Sequence, residues 1–191
     1  FNGFLQDSPD LVNIESGKYL ALGIKSDGTI TELYHDMFYY DIFIMPNNLT
    51  GITSLSIGVM EVDALASDGT VVVSNIRTGE QYSIPELNNI KAITANEYSF
   101  AALKSDGTVI AFGDNKYGQT SVPDGLSNII AISMGYNHAI ALKSDGTIVL
   151  ESGDLLSTIK RPFKKNNYSY HLDIDDFFYQ PRITIQGLLI A

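Results

Sequence analysis

Apolar residues in this chain come in short runs broken by small polar clusters, and no stretch carries a sustained 3.6-residue period. Ile90 to Ala95 is one such run. Phe100-Ala101-Ala102-Leu103-Lys104 and Val109-Ile110-Ala111-Phe112 follow, joined by Ser105-Asp106-Gly107-Thr108. Two apolar runs linked by a short segment containing Asp-Gly predict a β-hairpin. Gly takes the positive φ that the turn demands at no steric cost, and the Asp can bond backbone amides inside the turn. The runs are continuous rather than alternating, which predicts strands buried on both faces.

The pattern recurs. Ser-Asp-Gly-Thr stands at Ser26 to Thr29, Ser67 to Thr70, Ser105 to Thr108 and Ser144 to Thr147, with spacings of 41, 38 and 39. A second word, Leu-x-(Asn/Gly)-Ile, stands at Leu11 to Ile14, Leu49 to Ile52, Leu87 to Ile90 and Leu126 to Ile129. Pro9, Pro46, Pro85, Pro123 and Pro162 follow the same period. Units of this length that hide their faces against their neighbours predict an all-β propeller of four-stranded blades of about 39 residues. Residues 1–191 read as a single repeat domain with four repeats over 9–162. Residues 1–8 read as the last strand of a blade, and 163–191 as a degenerate fifth blade or a tail. Together the two ends amount to almost one more repeat, so a closed five-blade ring is one expectation. An arc of a larger propeller is the other, and the start at Phe1 rather than Met fits a processed form or an excised piece.

The unit from Ala101 to Leu150 carries the words in their fullest form. Gly113-Asp114-Asn115-Lys116-Tyr117-Gly118-Gln119 is followed by Gly135-Tyr136-Asn137-His138 and by Leu142-Lys143-Ser144-Asp145-Gly146-Thr147. This resembles the repeat of the regulator of chromosome condensation family in its bacterial form, over about residues 9 to 162. The resemblance implies a propeller that binds other proteins; an inhibitor of an extracellular enzyme is one version. It also implies a secreted or cell-surface bacterial protein, with the cytoplasm as the alternative. The chain departs from the family pattern in places. The long Gly-Asn-Gly-Gln word is whole only at 113–119, and the family His survives only as His138, where the other repeats have Leu20, Glu61 and Ser99.

Composition narrows the function classes. The net charge is −10, from 22 acids against 12 bases, which disfavours nucleic acid and anionic lipid as partners. Lys160, Arg161, Lys164 and Lys165 form a short basic cluster that reads as a solvated loop. With no Cys, disulfides, thiolate metal sites and a Cys nucleophile are excluded. No apolar run approaches the ~20 residues of a spanning helix. No nucleophile elbow, zinc-protease, P-loop or dinucleotide motif occurs. The repeated Asp27, Asp68, Asp106 and Asp145 read as turn chemistry rather than calcium ligands. His171, Asp173 and Asp175 alternate as metal ligands on a strand could, though an edge strand with like charges has the same pattern. The reading therefore holds no cofactor, no metal and no catalytic residue. Tyr19, Tyr98 and Tyr136 lie in the loop before the hairpin of their repeats, and such loops gather on one propeller face. With His138 and the inserted Tyr39 and Tyr40 they make a candidate binding face, although tyrosines there can equally pack between blades. The expectation is a non-enzymatic module, monomeric or paired through sheet edges, that binds a protein partner through one loop face. A glycan-binding propeller is the alternative, and a propeller enzyme acting on polysaccharide is the third class.

Overall fold

The computed structural model describes residues 10–36, 42–152 and 157–159. Among them the chain forms four antiparallel sheets in sequence order and no helix. The first sheet contains β1 (Leu11–Ser16), β2 (Leu20–Lys25) and β3 (Ile30–His35). The second contains β4 (Ile52–Ile57), β5 (Glu61–Ala66), β6 (Val71–Asn75) and β7 (Gln81–Ser83). The third contains β8 (Ile90–Ala95), β9 (Ser99–Lys104) and β10 (Val109–Gly113). The fourth contains β11 (Ile129–Met134), β12 (His138–Lys143), β13 (Ile148–Ser152) and β14 (Ser157–Ile159). Strands within a sheet neighbour one another in chain order, and the first strands of successive sheets lie side by side. These are propeller blades.

The hairpin turns form as the dipeptide chemistry requires. Asp27, Asp68 and Asp106 each accept two hydrogen bonds on Oδ1, from the amide and hydroxyl of the Thr two residues on, at 2.6–2.9 Å. Those bonds hold the carboxyls below the usual Asp range. Gly28, Gly69, Gly107 and Gly146 take φ values of 77°, 82°, 84° and 84°. Each turn then reaches the next blade: the amides of Ile52, Ile90 and Ile129 donate to the carbonyls of Gly28, Gly69 and Gly107, all at 3.0 Å. The repeated word is thus turn and blade connector together.

Register separates the repeats more finely than the words do. Leu11, Ile52, Ile90 and Ile129 pair with Lys25, Ala66, Lys104 and Lys143, and a bulge follows each pair. Leu11 therefore stands where Ile52, Ile90 and Ile129 stand. The word at Leu11 to Ile14 lies three residues out of phase, because Ile14 sits inside β1 rather than at its start.

Apolar side chains fill the spaces between blades. Leu20, Leu22 and Ile24 of the first blade pack on Leu55, Val62 and Ala64 of the second. Leu65 and Val71 meet Ile90, Phe100 and Ala102, and Leu103 meets Ile129, Ile132 and Ala141. The second strands of the first three sheets are buried on both faces, as their continuous apolar runs predict, whereas β12 is mostly half-buried.

The expectation of four strands per blade holds for the second and fourth sheets; the first and third have three among the described residues. In the third, side-chain bonds replace the outer ladder. Gln119, which is 3% exposed, donates through Nε2 to Asp114 Oδ2 at 3.1 Å and accepts the Tyr117 amide at 2.8 Å. Asn115 Oδ1 accepts the Thr120 amide at 3.0 Å. The segment becomes a compact polar loop. Residues 1–8 and 163–191, expected to supply a further blade, lie outside the described residues.

Candidate functional site

In an up-and-down blade, the loops after the first and third strands emerge at the end opposite the Ser-Asp-Gly-Thr turns. Here the first-strand loops form a continuous line. Beside Gly17 is Ile57, and beside Gly58 are the carbonyls of Asn96 and Glu97. The Val59 amide donates to Glu97 O at 3.3 Å. Asn96 Nδ2 donates to Gly135 O at 2.8 Å and Tyr136 O at 3.3 Å. Lys18 of the first blade forms a 2.8 Å ion pair with Glu97 of the third, spanning the second.

A cleft of about 170 Å³ opens at this end between the third and fourth blades. Tyr98, Tyr117 and Tyr136 supply its rings, and Asn96, Asp114, Lys116, Gln119 and Asn137 its polar groups. Tyr98 and Tyr136 are each 61% exposed. Their loops are held from beneath. Asn96 Oδ1 accepts the amides of Tyr98 and Ser99 at 2.9 and 2.8 Å, while Ser99 Oγ donates to Asp114 O at 3.0 Å. Gly113, at φ 100°, lies so close to Tyr98 O that a Cβ there would collide with it. Lys116 Nζ lies 5.1 Å from the centre of the Tyr117 ring, within cation–π range.

The structure divides the sequence-derived site residues. Tyr98 and Tyr136 meet at the cleft. They are not equivalent positions, because the strand registers align Tyr98 with Tyr19 and Asn137 and place Tyr136 one residue earlier. Tyr19 packs against the junction of the first two blades, with Lys18 Nζ 5.2 Å from its ring centre. His138 opens β12, and its ring covers Gly135 rather than lining the cleft. Burial pushes its imidazole below the usual range, so it is neutral at pH 7. Tyr39 and Tyr40 lie outside the described residues, as do His171, Asp173 and Asp175.

Sequence reasoning missed Asn96, Lys116, Tyr117 and Asn137. One signal was available. Asn96 stands where the other repeats have Gly17, Gly58 and Gly135, so it breaks the repeat at the residue that ties two loops together. Chemically, the cleft offers aromatic faces, phenol hydroxyls, one ammonium and a carboxylate. Both oxygens of Asp114 already accept bonds, from the Lys116 amide at 3.2 Å and from Gln119. No group of three or more His, Asp or Glu side chains able to hold a metal occurs among the described residues.

Radially stacked antiparallel sheets with converging loops define a β-propeller repeat protein. Within it, residues 90–119 match the family described as Regulator of chromosome condensation (RCC1) repeat. No curated protein sequence matches the chain. Among solved structures, Prp20p from Saccharomyces cerevisiae is similar at a TM-score of 0.61 and 14% identity, covering 74% of this chain and 45% of that one. Human WBSCR16 is similar at 0.59 and 12%, covering 78% and 49%. The C-terminal domain of gp131 from bacteriophage phiKZ is similar at 0.57 and 17%, covering 85% and 58%. The chain thus spans about half the length of these three structures.

Proposed function

We propose that this chain is a non-catalytic interaction module that binds a protein partner through the loop end bearing Tyr98 and Tyr136. The observation that carries the reading is the pair of 61% exposed tyrosines beside a cleft whose loops are fixed from below. Rigid aromatic anchors with a polar tip give contact area at little entropic cost. The comparison with Prp20p, a protein described by its binding to Gsp1p and histones, supports the same class of activity.

A photo-crosslinking residue placed at Tyr98 or Tyr136 tests this. Specific protein adducts are expected there and not from the same residue at Asp106 on the opposite end. Once the partner is known, Tyr98→Ala with Tyr136→Ala should weaken binding by at least ~10-fold. Equal adduct yields from both ends would reject the loop-face reading. The three clustered tyrosine rings also favour a second reading, a saccharide stacked in the cleft. A glycan array on which the native chain binds and the double variant does not would select it.

A further inference from the structure

We propose, resting on the loop-end reading above, that the cleft between the third and fourth blades takes an arginine side chain of the protein partner. Its guanidinium would stack on Tyr98 and pair with Asp114.

The first blade contains the same two groups together with a cation of its own. The amide of Asp36 donates to Tyr19 O at 2.8 Å, and the amide of Asp114 donates to Tyr98 O at 2.9 Å. The strand registers give the same equivalence, Tyr19 with Tyr98 and Asp36 with Asp114. Before Tyr19 stands Lys18. Its ammonium lies 5.2 Å from the Tyr19 ring centre and 2.8 Å from Glu97 Oε1. A cation at this end is thus held between a phenol ring and a carboxylate. Before Tyr98 stands Glu97, so the third blade repeats the ring and the acid without the lysine. Asp114 has no ion pair among the described residues.

The chemistry of the cleft favours a guanidinium. Asp114 accepts one hydrogen bond on each oxygen, at 3.2 and 3.1 Å. A carboxylate has about four acceptor sites, so both oxygens can still receive a bidentate arginine. Tyr98 and Tyr136 supply exposed ring faces beside it. Arginine stacks on such faces and is more weakly hydrated than lysine, so it loses less on entering. At about 170 Å³ the cleft is smaller than the roughly 300 Å³ at which small-molecule pockets begin, and it suits a single side chain. The net charge of −10 draws basic partners toward the chain. Lys116 is the opposing charge among the lining residues; its ammonium lies over Tyr117 and makes no ion pair with Asp114.

Titration of the 191-residue chain with acetyl-Gly-Arg-Gly-amide, followed by the ring resonances of Tyr98 and Tyr136, tests the proposal. Saturable shifts of both rings are expected. The citrulline peptide has the same shape without the charge and should bind at least ~5-fold more weakly. Asp114→Asn and Tyr98→Leu should each weaken the arginine peptide by about 5-fold, while Tyr98→Phe keeps it within about 2-fold. Tyr98 is 61% exposed, so its variants probe the cleft without disturbing the core. Lys116→Gln should tighten binding, because it removes a like charge. Equal binding of the arginine and citrulline peptides would overturn the proposal, as would a lysine peptide that binds as tightly as arginine. Methyl glucoside shifting the rings where the arginine peptide does not would overturn it in favour of a saccharide. Specific protein adducts at Tyr98 with no response to the arginine peptide would overturn it and leave the loop-end reading standing. Equal adducts from both ends, with the arginine peptide bound at Tyr98, would reject that reading and keep the arginine site.

Discussion

Asp63 is the residue that the repeat does least to explain. It occupies the place of Leu22, Ala101 and Ile140, is 5% exposed, and faces the junction between the second and third blades. Burial, with a smaller push from the Glu61 carboxylate, raises its carboxyl to about 8. The native state therefore holds a proton that the unfolded chain has released, from the ordinary Asp range up to about 8. Stability from this group is complete below the unfolded value and is lost as pH rises through the folded one. Burial pushes Glu15 the same way, to about 7. Asp63→Asn should leave stability near pH 4 almost unchanged and raise it by ~2–4 kcal/mol near pH 8. Urea titrations at several pH values check this; an unchanged slope in the variant would place the proton elsewhere. The turn residues, by contrast, were fully legible. Asp27 and its equivalents act on a Thr two residues away, so local sequence contains the whole interaction. The consequence of Asp63 depends on a strand in another repeat, and a single repeat cannot show it.

Elements were legible in proportion to how local their bonding is. The hairpins and the continuous second strands follow from dipeptide and run patterns. The missing outer strand of the third blade does not, because the side-chain oxygens of buried Gln119 and exposed Asn115 accept backbone amides of the same loop, which a ladder would otherwise pair. The cleft is less legible still, since it joins loops of two repeats. Asn96 makes that joint: it accepts two amides of its own loop and donates to two carbonyls of the next blade's loop. Asn96→Ala should cost ~1–3 kcal/mol and release the Tyr98 loop from the Tyr136 loop. Asn96→Asp keeps the acceptor and loses the donor, so it should retain most of the loop but not the tie to Gly135. Ring resonances of Tyr98 and Tyr136 report the difference. If Ala moves the Tyr136 ring and Asp leaves it in place, the coupling does not run through Nδ2.

For the whole molecule the decisive question is how far a local loss of packing travels. In a linear array each repeat is stabilised by its own hairpins and by its neighbours, so damage at one junction stays near it. In a closed ring every blade has two neighbours, and the loss is shared. Leu103 is 0% exposed and packs the third blade on Ile129 and Ala141 of the fourth. Truncating such a side chain to Ala typically costs ~2–5 kcal/mol. Amide exchange of Leu103→Ala, read blade by blade in dilute solution, separates the two regimes. Under dilute conditions β11, β12 and β13 should exchange faster while β4, β5 and β6 keep their protection, because the second blade still packs on the first through Leu22 and Val62. Uniform acceleration even in dilute solution would mean that a single chain already behaves as one cooperative ring.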